Sequence, residues 1–195
     1  MNKFICQECD AVTAGHDIVH FGSDGDTYRD LCTACFNTEM AARSGLHQFK
    51  NVRLEPVSFA DCDGAMHEFH FRTRLLGDIL SLEAFELIAG APAGYQFQSV
   101  GQAEEELFGL LGRLIQKIRR TLCVKHIADE PGLRGHQIVD MIVRGRVEWD
   151  EAQDGRMPQV LVDGRSFTWE ELGEMLMAFE GWQFKLEMFD PSDEV

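Results

Sequence analysis

The apolar positions change period several times along the chain, and each change marks an expected element. Across Ala103–Ile127, the residues Leu107, Leu110, Leu111, Leu114, Ile118 and Leu122 recur at three- and four-residue steps, one face of an α-helix. Glu104, Glu105 and Glu106 stand at its start and Arg119, Arg120, Lys125 and His126 toward its end, which complements the helix dipole. At ~1.5 Å per residue it would run about 37 Å. The run Met66–Leu75 instead alternates. His67, Phe69, Phe71, Thr73 and Leu75 share one strand face, and Met66, Glu68, His70, Arg72 and Arg74 share the other. Asp61-Cys62-Asp63-Gly64 has hairpin-turn chemistry, with Val52–Phe59 as the preceding strand. Ile79–Ile88 and Tyr95–Val100 read as further strands, separated by a break at Gly90-Ala91-Pro92-Ala93-Gly94.

After the stop signal Pro131-Gly132 the pattern predicts strand, hairpin, helix, strand. Ile138–Trp149 is β-rich. Val160-Leu161-Val162 and Arg165-Ser166-Phe167 flank Asp163-Gly164, a tight hairpin. Thr168 with Glu171 three residues on is a capping box, so a helix starts at Trp169 and carries Leu172, Met175, Leu176 and Phe179 inward to near Gly181. Trp182–Phe189 is a final strand. Trp149, Trp169 and Trp182 are expected in packing roles. The fold class is α+β: a mixed, mainly antiparallel sheet packed on a long helix and a shorter C-terminal helix.

Charge narrows the function. With 18 basic and 33 acidic side chains the formal net charge is -15, and residues 129–195 alone carry -10. That field repels phosphate backbones and argues against bulk nucleic-acid binding. The one basic stretch is the predicted long helix, whose Arg113, Lys117 and Arg120 share a solvent face. No run approaches 18 consecutive apolar residues, so no membrane span is expected, and no signal peptide is visible. A cytoplasmic location follows, and its reducing chemistry makes the six cysteines thiols or metal ligands before disulfides.

Four of those cysteines form two pairs. Cys6-x-x-Cys9 and Cys32-x-x-Cys35 are separated by 22 residues. A two-residue gap lets both sulfurs of a pair face one ion at about 2.3 Å, the requirement of a structural four-cysteine zinc site. Between them, Ile18-Val19-His20-Phe21 and Thr27-Tyr28-Arg29-Asp30-Leu31 flank the loop Gly22-Ser23-Asp24-Gly25-Asp26, and Thr33–Arg43 is helix-like. Knuckle, hairpin and a second pair opening a helix resemble a treble-clef or zinc-ribbon-type zinc finger over residues 4–42. The resemblance implies structural Zn2+ held by Cys6, Cys9, Cys32 and Cys35; an iron centre is the alternative. A metal module at 1–45 and an α+β domain at 46–195 are therefore expected, joined at Ala42–Gln48. Zinc is expected to hold the first module only, because the second has its own core. Through Val162–Gly173 and Phe179-Glu180-Gly181-Trp182 the remainder resembles an uncharacterised bacterial domain family, which implies no activity.

Outside the cysteine pairs, Glu68, His70, Arg72 and Arg74 form one polar strand face. It reads as solvated sheet surface, with an anion or substrate site as the sharper alternative, since two arginines are pre-spaced for carboxylate or phosphate. His67 and His70 beside Asp61, Cys62 and Asp63 could sketch a second metal site, but positions three apart on a strand face opposite ways, and His67 reads as a core histidine. Cys62 and Cys123 belong to no pair; Cys123 is expected buried or half-buried and inert. No phosphate loop, dinucleotide fingerprint or nucleophile elbow occurs. The expected function is a zinc-binding regulatory or interaction protein with a protein partner or a second copy of itself. An enzyme acting at the 66–74 strand and a nucleic-acid binder acting through the zinc module are the alternatives.

Overall fold

The computed structural model describes residues 3–22, 28–129 and 135–193. The expected 22–26 loop from Ser23 on, and the stop signal at 131–132, lie outside these residues. The chain begins with a hairpin of β1 (Lys3–Ile5) and β2 (Val12–Ala14), then a second of β3 (Ile18–Phe21) and β4 (Arg29–Cys32), and then α1 (Thr33–Arg43). The helix spans the residues its pattern predicts. Cys6, Leu31, Cys32 and Phe36 form a small apolar core between the hairpins and the helix.

A four-stranded antiparallel sheet follows, in the order β5 (Val57–Ala60), β6 (Met66–Leu76), β7 (Ile79–Ile88) and β8 (Ala91–Gln102). The helix α2 (Leu107–Leu122) lies across one face. Its Leu110, Leu114, Ile118 and Leu122 are buried with Phe69, Leu75, Leu80 and Leu82 of the sheet. The stripe seen in the sequence is the one that packs.

Two differences from the expected elements have clear causes. The 90–94 segment does not break the sheet: β7 and β8 meet in a two-residue turn at Ala89 and Gly90, with φ of 53° and 83°. Both central residues of a primed hairpin turn need positive φ. Pro92 is tolerated because β8 is an edge strand, where a missing N–H costs little. The long helix is shorter at both ends. Gln102 still belongs to β8, and Glu106 is the N-cap residue. At the other end, the backbone N–H groups of His126 and Ile127 both donate to the Asp163 carboxylate at 2.8 Å. Val124 N already turns to Thr121 O, and the Leu122 carbonyl, which a continuing helix would offer to His126 N, instead accepts from Cys62 N at 3.0 Å.

The last part builds a third core. Here β9 (Ile127–Asp129) pairs with β10 (His136–Ile138), and β11 (Arg146–Trp149), β12 (Pro158–Val162) and β13 (Arg165–Thr168) form an antiparallel sheet. Between Ile138 and Arg146 the chain is irregular, so the expected 138–149 strand is two short ones. The capping box closes as predicted: Glu171 N donates to Thr168 Oγ1 at 3.1 Å and Thr168 N to Glu171 Oε2 at 2.7 Å, opening α3 (Trp169–Leu176). Ile127, Val160, Val162, Phe167 and Met175 are buried together. Leu176 is exposed, as are Trp149, Trp169 and Trp182, contrary to their expected packing roles. Trp182–Phe189 carries no regular structure, although its alternation is that of a strand.

The N-terminal module is docked on the sheet. β5 covers β6 only over Met66–Phe69, which leaves the β6 edge from His70 onward, among the described residues, without a strand partner on that side. α1 fills the gap. Asn37, 2% exposed, donates from Nδ2 to Thr73 O at 2.8 Å and accepts from Leu75 N at 2.8 Å on Oδ1. Its side-chain amide stands in for the peptide group of a missing neighbour strand. Ala41 is buried in the sheet core, and Met40 packs against both that core and the cysteine core. The module that zinc is expected to hold therefore packs on the sheet and shares apolar contacts with it, as its short, proline-free joining segment allows.

Candidate metal centre

The first pair sits in a tight turn after β1. Cys6 N donates to Ala11 O and Asp10 N to Cys6 O, both at 3.0 Å, and Asp10 adopts φ 57°. The second pair sits where β4 meets α1: Cys32 is the N-cap residue and Cys35 lies in the first turn. Gln7 ties the two halves together, its N donating to Asp30 O at 2.8 Å and its Oε1 accepting from Asp30 N at 2.9 Å. The four Sγ atoms consequently lie within 4.8 Å of one another. The Cys9–Cys32 separation is 3.9 Å, close to the ~3.8 Å edge of a tetrahedron with 2.3 Å metal–sulfur bonds and far beyond a disulfide.

All six cysteines are free thiols. Cys6 and Cys32 are buried and Cys9 is exposed. Burial opposes ionisation of Cys6, but backbone N–H groups of Cys32, Glu8 and Cys9 outweigh it and draw its pKa down to about 6. The Cys32 N–H donates to Cys6 Sγ at 3.2 Å. Burial and the neighbouring sulfurs push Cys32 and Cys35 the other way. Four thiols gathered in this way are stable as thiolates only beside a cation. The donor set fits a closed, four-coordinate metal ion with no position left for substrate. Among the described residues this is the one group of three or more metal-ligating side chains that converges.

Arg72 and Arg74 of the polar β6 face both reach Glu83 of β7. Arg72 also donates to His16 O in the turn before β3, and its guanidinium lies 5.3 Å from the Phe85 ring centroid. Burial, then the neighbouring Arg72, lowers the Arg74 pKa. His16 stacks edge-on to Phe85 with ring centroids 5.5 Å apart. This face, expected to be solvated, is partly covered by the metal module. His70 and Glu68 stand together at its outer end, 3.2 Å apart. Cys123 is exposed, not buried.

A second polar cluster, only partly visible in the sequence, joins the sheet to the third core. The Asp61 carboxylate is 2% exposed and accepts from Lys125 Nζ at 2.7 Å, Asp63 N at 2.9 Å and Ala65 N at 2.8 Å. The Lys125 ammonium holds the Asp61 carboxyl below the usual range. Burial of Lys125 works against its charge, and the Asp61, Asp63 and Asp163 carboxylates outweigh it, so its pKa rises. His67 lies between Glu86, 2.8 Å from Nδ1, and Asp61, 3.5 Å from Nε2, with its ring edge-on to Tyr95. Glu86 also accepts from Tyr95 N at 2.7 Å, where β8 bulges. His67 is thus a satisfied, half-buried histidine. The partners Glu86, Tyr95 and Lys125 are distant in sequence, and no spacing announces them.

Three family models match the chain. Each is described as a domain of unknown function: DUF7685 over residues 5–47, DUF7686 over 50–123 and DUF7713 over 126–193. No curated protein and no solved structure matches it. The three ranges correspond to the three apolar cores, which lie in the cysteine module, under α2, and between β12 and α3. The four-cysteine group falls within the first. Among the described residues no helix is long and apolar enough to cross a membrane.

Proposed function

We propose that the protein is a zinc-binding interaction or regulatory module, non-catalytic at its metal, with one structural Zn2+ on Cys6, Cys9, Cys32 and Cys35 in a treble-clef arrangement. The convergence of the four sulfurs within 4.8 Å, from a knuckle and from a helix N-terminus, carries this reading. Four free thiols at that spacing suit a reducing compartment such as the cytoplasm. Four protein ligands saturate zinc, so the ion supplies folding energy and no open coordination site. The module also presents apolar surface: Ile5 and Val12 are cross-strand partners, and both are exposed, as is Tyr28. Exposed apolar side chains side by side on a folded, metal-pinned hairpin suit a protein partner. A strongly negative chain gives no comparable support to nucleic acid.

The test is metal content with a folding readout. X-ray fluorescence and elemental analysis of protein purified without chelators should give one zinc per chain. Well under one, or iron in its place, overturns the reading. Removal of zinc by a chelator should release the cysteine module and loosen β6 with it, since α1 packs on that strand.

A further inference from the structure

Trp182–Phe189 reads Trp-Gln-Phe-Lys-Leu-Glu-Met-Phe, a strand's alternation without a strand. Its apolar residues face water: Trp182 is 63% exposed, Phe184 90%, Leu186 68% and Met188 71%. Lys185 and Glu187 pair with each other on the opposite side. An open sheet edge of matching character lies on the third core. β11 ends the β11–β12–β13 sheet, and its Val147 and Trp149 are exposed. Val147 stands across from Val160, which stands across from Phe167, so Val147 continues the buried face of that core and is left uncovered. On the other face Arg146 and Glu148 pair with each other, just as Lys185 and Glu187 do.

We propose that Trp182–Phe189 of one copy adds as an antiparallel strand to β11 of a second copy. One register satisfies both faces at once. It sets Phe184 across from Trp149 and Leu186 across from Val147 on the apolar side, and Lys185 across from Glu148 and Glu187 across from Arg146 on the charged side. A one-residue slip sets apolar side chains against charged ones. A two-residue slip sets Lys185 against Arg146 in one direction and Glu187 against Glu148 in the other, and like charges directly opposite are destabilising. Main-chain bonding along the edge supplies affinity and the alternating side chains supply register.

The occupant is a second copy because each chain keeps its own tail elsewhere. Trp182 N donates to Phe179 O at 2.9 Å, and the two rings sit 5.7 Å apart. At the far end Lys117 of α2 donates to Pro191 O and Asp193 O, both at 2.7 Å. The tail is held at both ends along its own chain, while among the described residues no strand pairs with the outer edge of β11. Reciprocal exchange between two copies closes a two-fold dimer and removes both exposed edges together.

Sedimentation of the full chain tests this, with twice the 22.1 kDa chain mass expected at micromolar concentration. Leu186→Pro deletes an N–H in a segment that has no regular structure within its own chain, so the dimer should be lost while thermal melting shows each chain still folded, with far-UV circular dichroism changed only by the missing tail strand. Exchanging charges in the tail (Lys185→Glu with Glu187→Lys) or in the strand (Arg146→Glu with Glu148→Arg) should each weaken dimerisation roughly tenfold or more, since four cross-strand pairs turn repulsive in the closed dimer. The chain carrying both exchanges should recover. A monomer at all concentrations overturns the proposal. So does a dimer indifferent to Leu186→Pro and to the exchanges, or a monomer whose 182–189 amides are protected from hydrogen exchange by its own β11.

Discussion

Replacing Asn37 by alanine probes how the metal module is fixed to the sheet. Asn37 lies in α1 and gives two buried hydrogen bonds to the β6 edge, to Thr73 O and from Leu75 N, each 2.8 Å. A third bond, from Nδ2 to Asn51 Oδ1 at 3.2 Å, uses its remaining proton. Alanine would leave the Thr73 carbonyl and the Leu75 amide without partners. A buried group so stranded costs ~1–3 kcal/mol, and alanine's better helix propensity returns ~0.5 kcal/mol. With two groups stranded, the net loss should be about 1.5–5.5 kcal/mol. For a chain of this size that lowers Tm by roughly 3–22 °C, at ~2–4 °C per kcal/mol. Urea unfolding of the zinc-loaded protein, followed by circular dichroism and by zinc release to a chromogenic chelator, measures it. Zinc release should move to lower urea together with the sheet transition. Asn37→Asp should not rescue, because it keeps the acceptor for Leu75 N but turns a carboxylate toward the Thr73 carbonyl. A loss under about 0.5 kcal/mol for alanine, or a fully stable aspartate variant, would refute the edge-capping role.

Cys9→Ser and Cys32→Ser should each abolish stoichiometric zinc, while Cys62→Ser and Cys123→Ser should retain it, read by elemental analysis of the purified variants. The Asp61–Lys125 pair should give stability a plateau in pH. The depressed Asp61 pKa contributes stability that is present above 3.8, the ordinary aspartate value, and is lost as pH falls through the folded value. The raised Lys125 pKa contributes stability that is present below 10.5 and is lost as pH rises through the folded value. Lys125→Ala should flatten both limbs in thermal melts recorded across pH, and unchanged limbs would count against the pairing.

Local sequence signals predict an element well wherever the residues that decide it lie within it. The α1 pattern, the α2 stripe, the Thr168–Glu171 box and the Asp163-Gly164 turn all belong to that class. Expectation and structure part where a distant side chain decides. The path of the chain after α2 depends on Asp163, which lies many residues on and takes the His126 and Ile127 amides. Trp149 is exposed because it ends the edge strand β11, whereas Trp169 opens α3 and Trp182 lies outside any strand. The four candidate metal ligands are legible because thiolate spacing is a local constraint. The burial of Arg72 is not, because Glu83 and the His16 carbonyl come to it from two other elements. Nor is the cluster around Asp61, since only the fold brings Lys125 and Glu86 beside it.

The position of Asn37 gives the proposed metal a task beyond its own module. β6 is longer than β5, so part of its edge would face water with unpaired backbone groups, the feature that makes sheets associate wrongly. α1 covers that stretch, and α1 begins just after Cys32, a proposed metal ligand. Four thiols pulled together by one ion set where the helix starts and therefore where Asn37, in its second turn, meets Thr73 and Leu75. Met40 then packs into both the cysteine core and the sheet core, so the two cannot loosen independently. On this argument metal affinity and sheet stability are linked quantities. If the ion is held as proposed, stripping it loosens the α1 cover of the β6 edge, and weakening the Asn37 contacts lowers the affinity for the ion by the same coupling free energy.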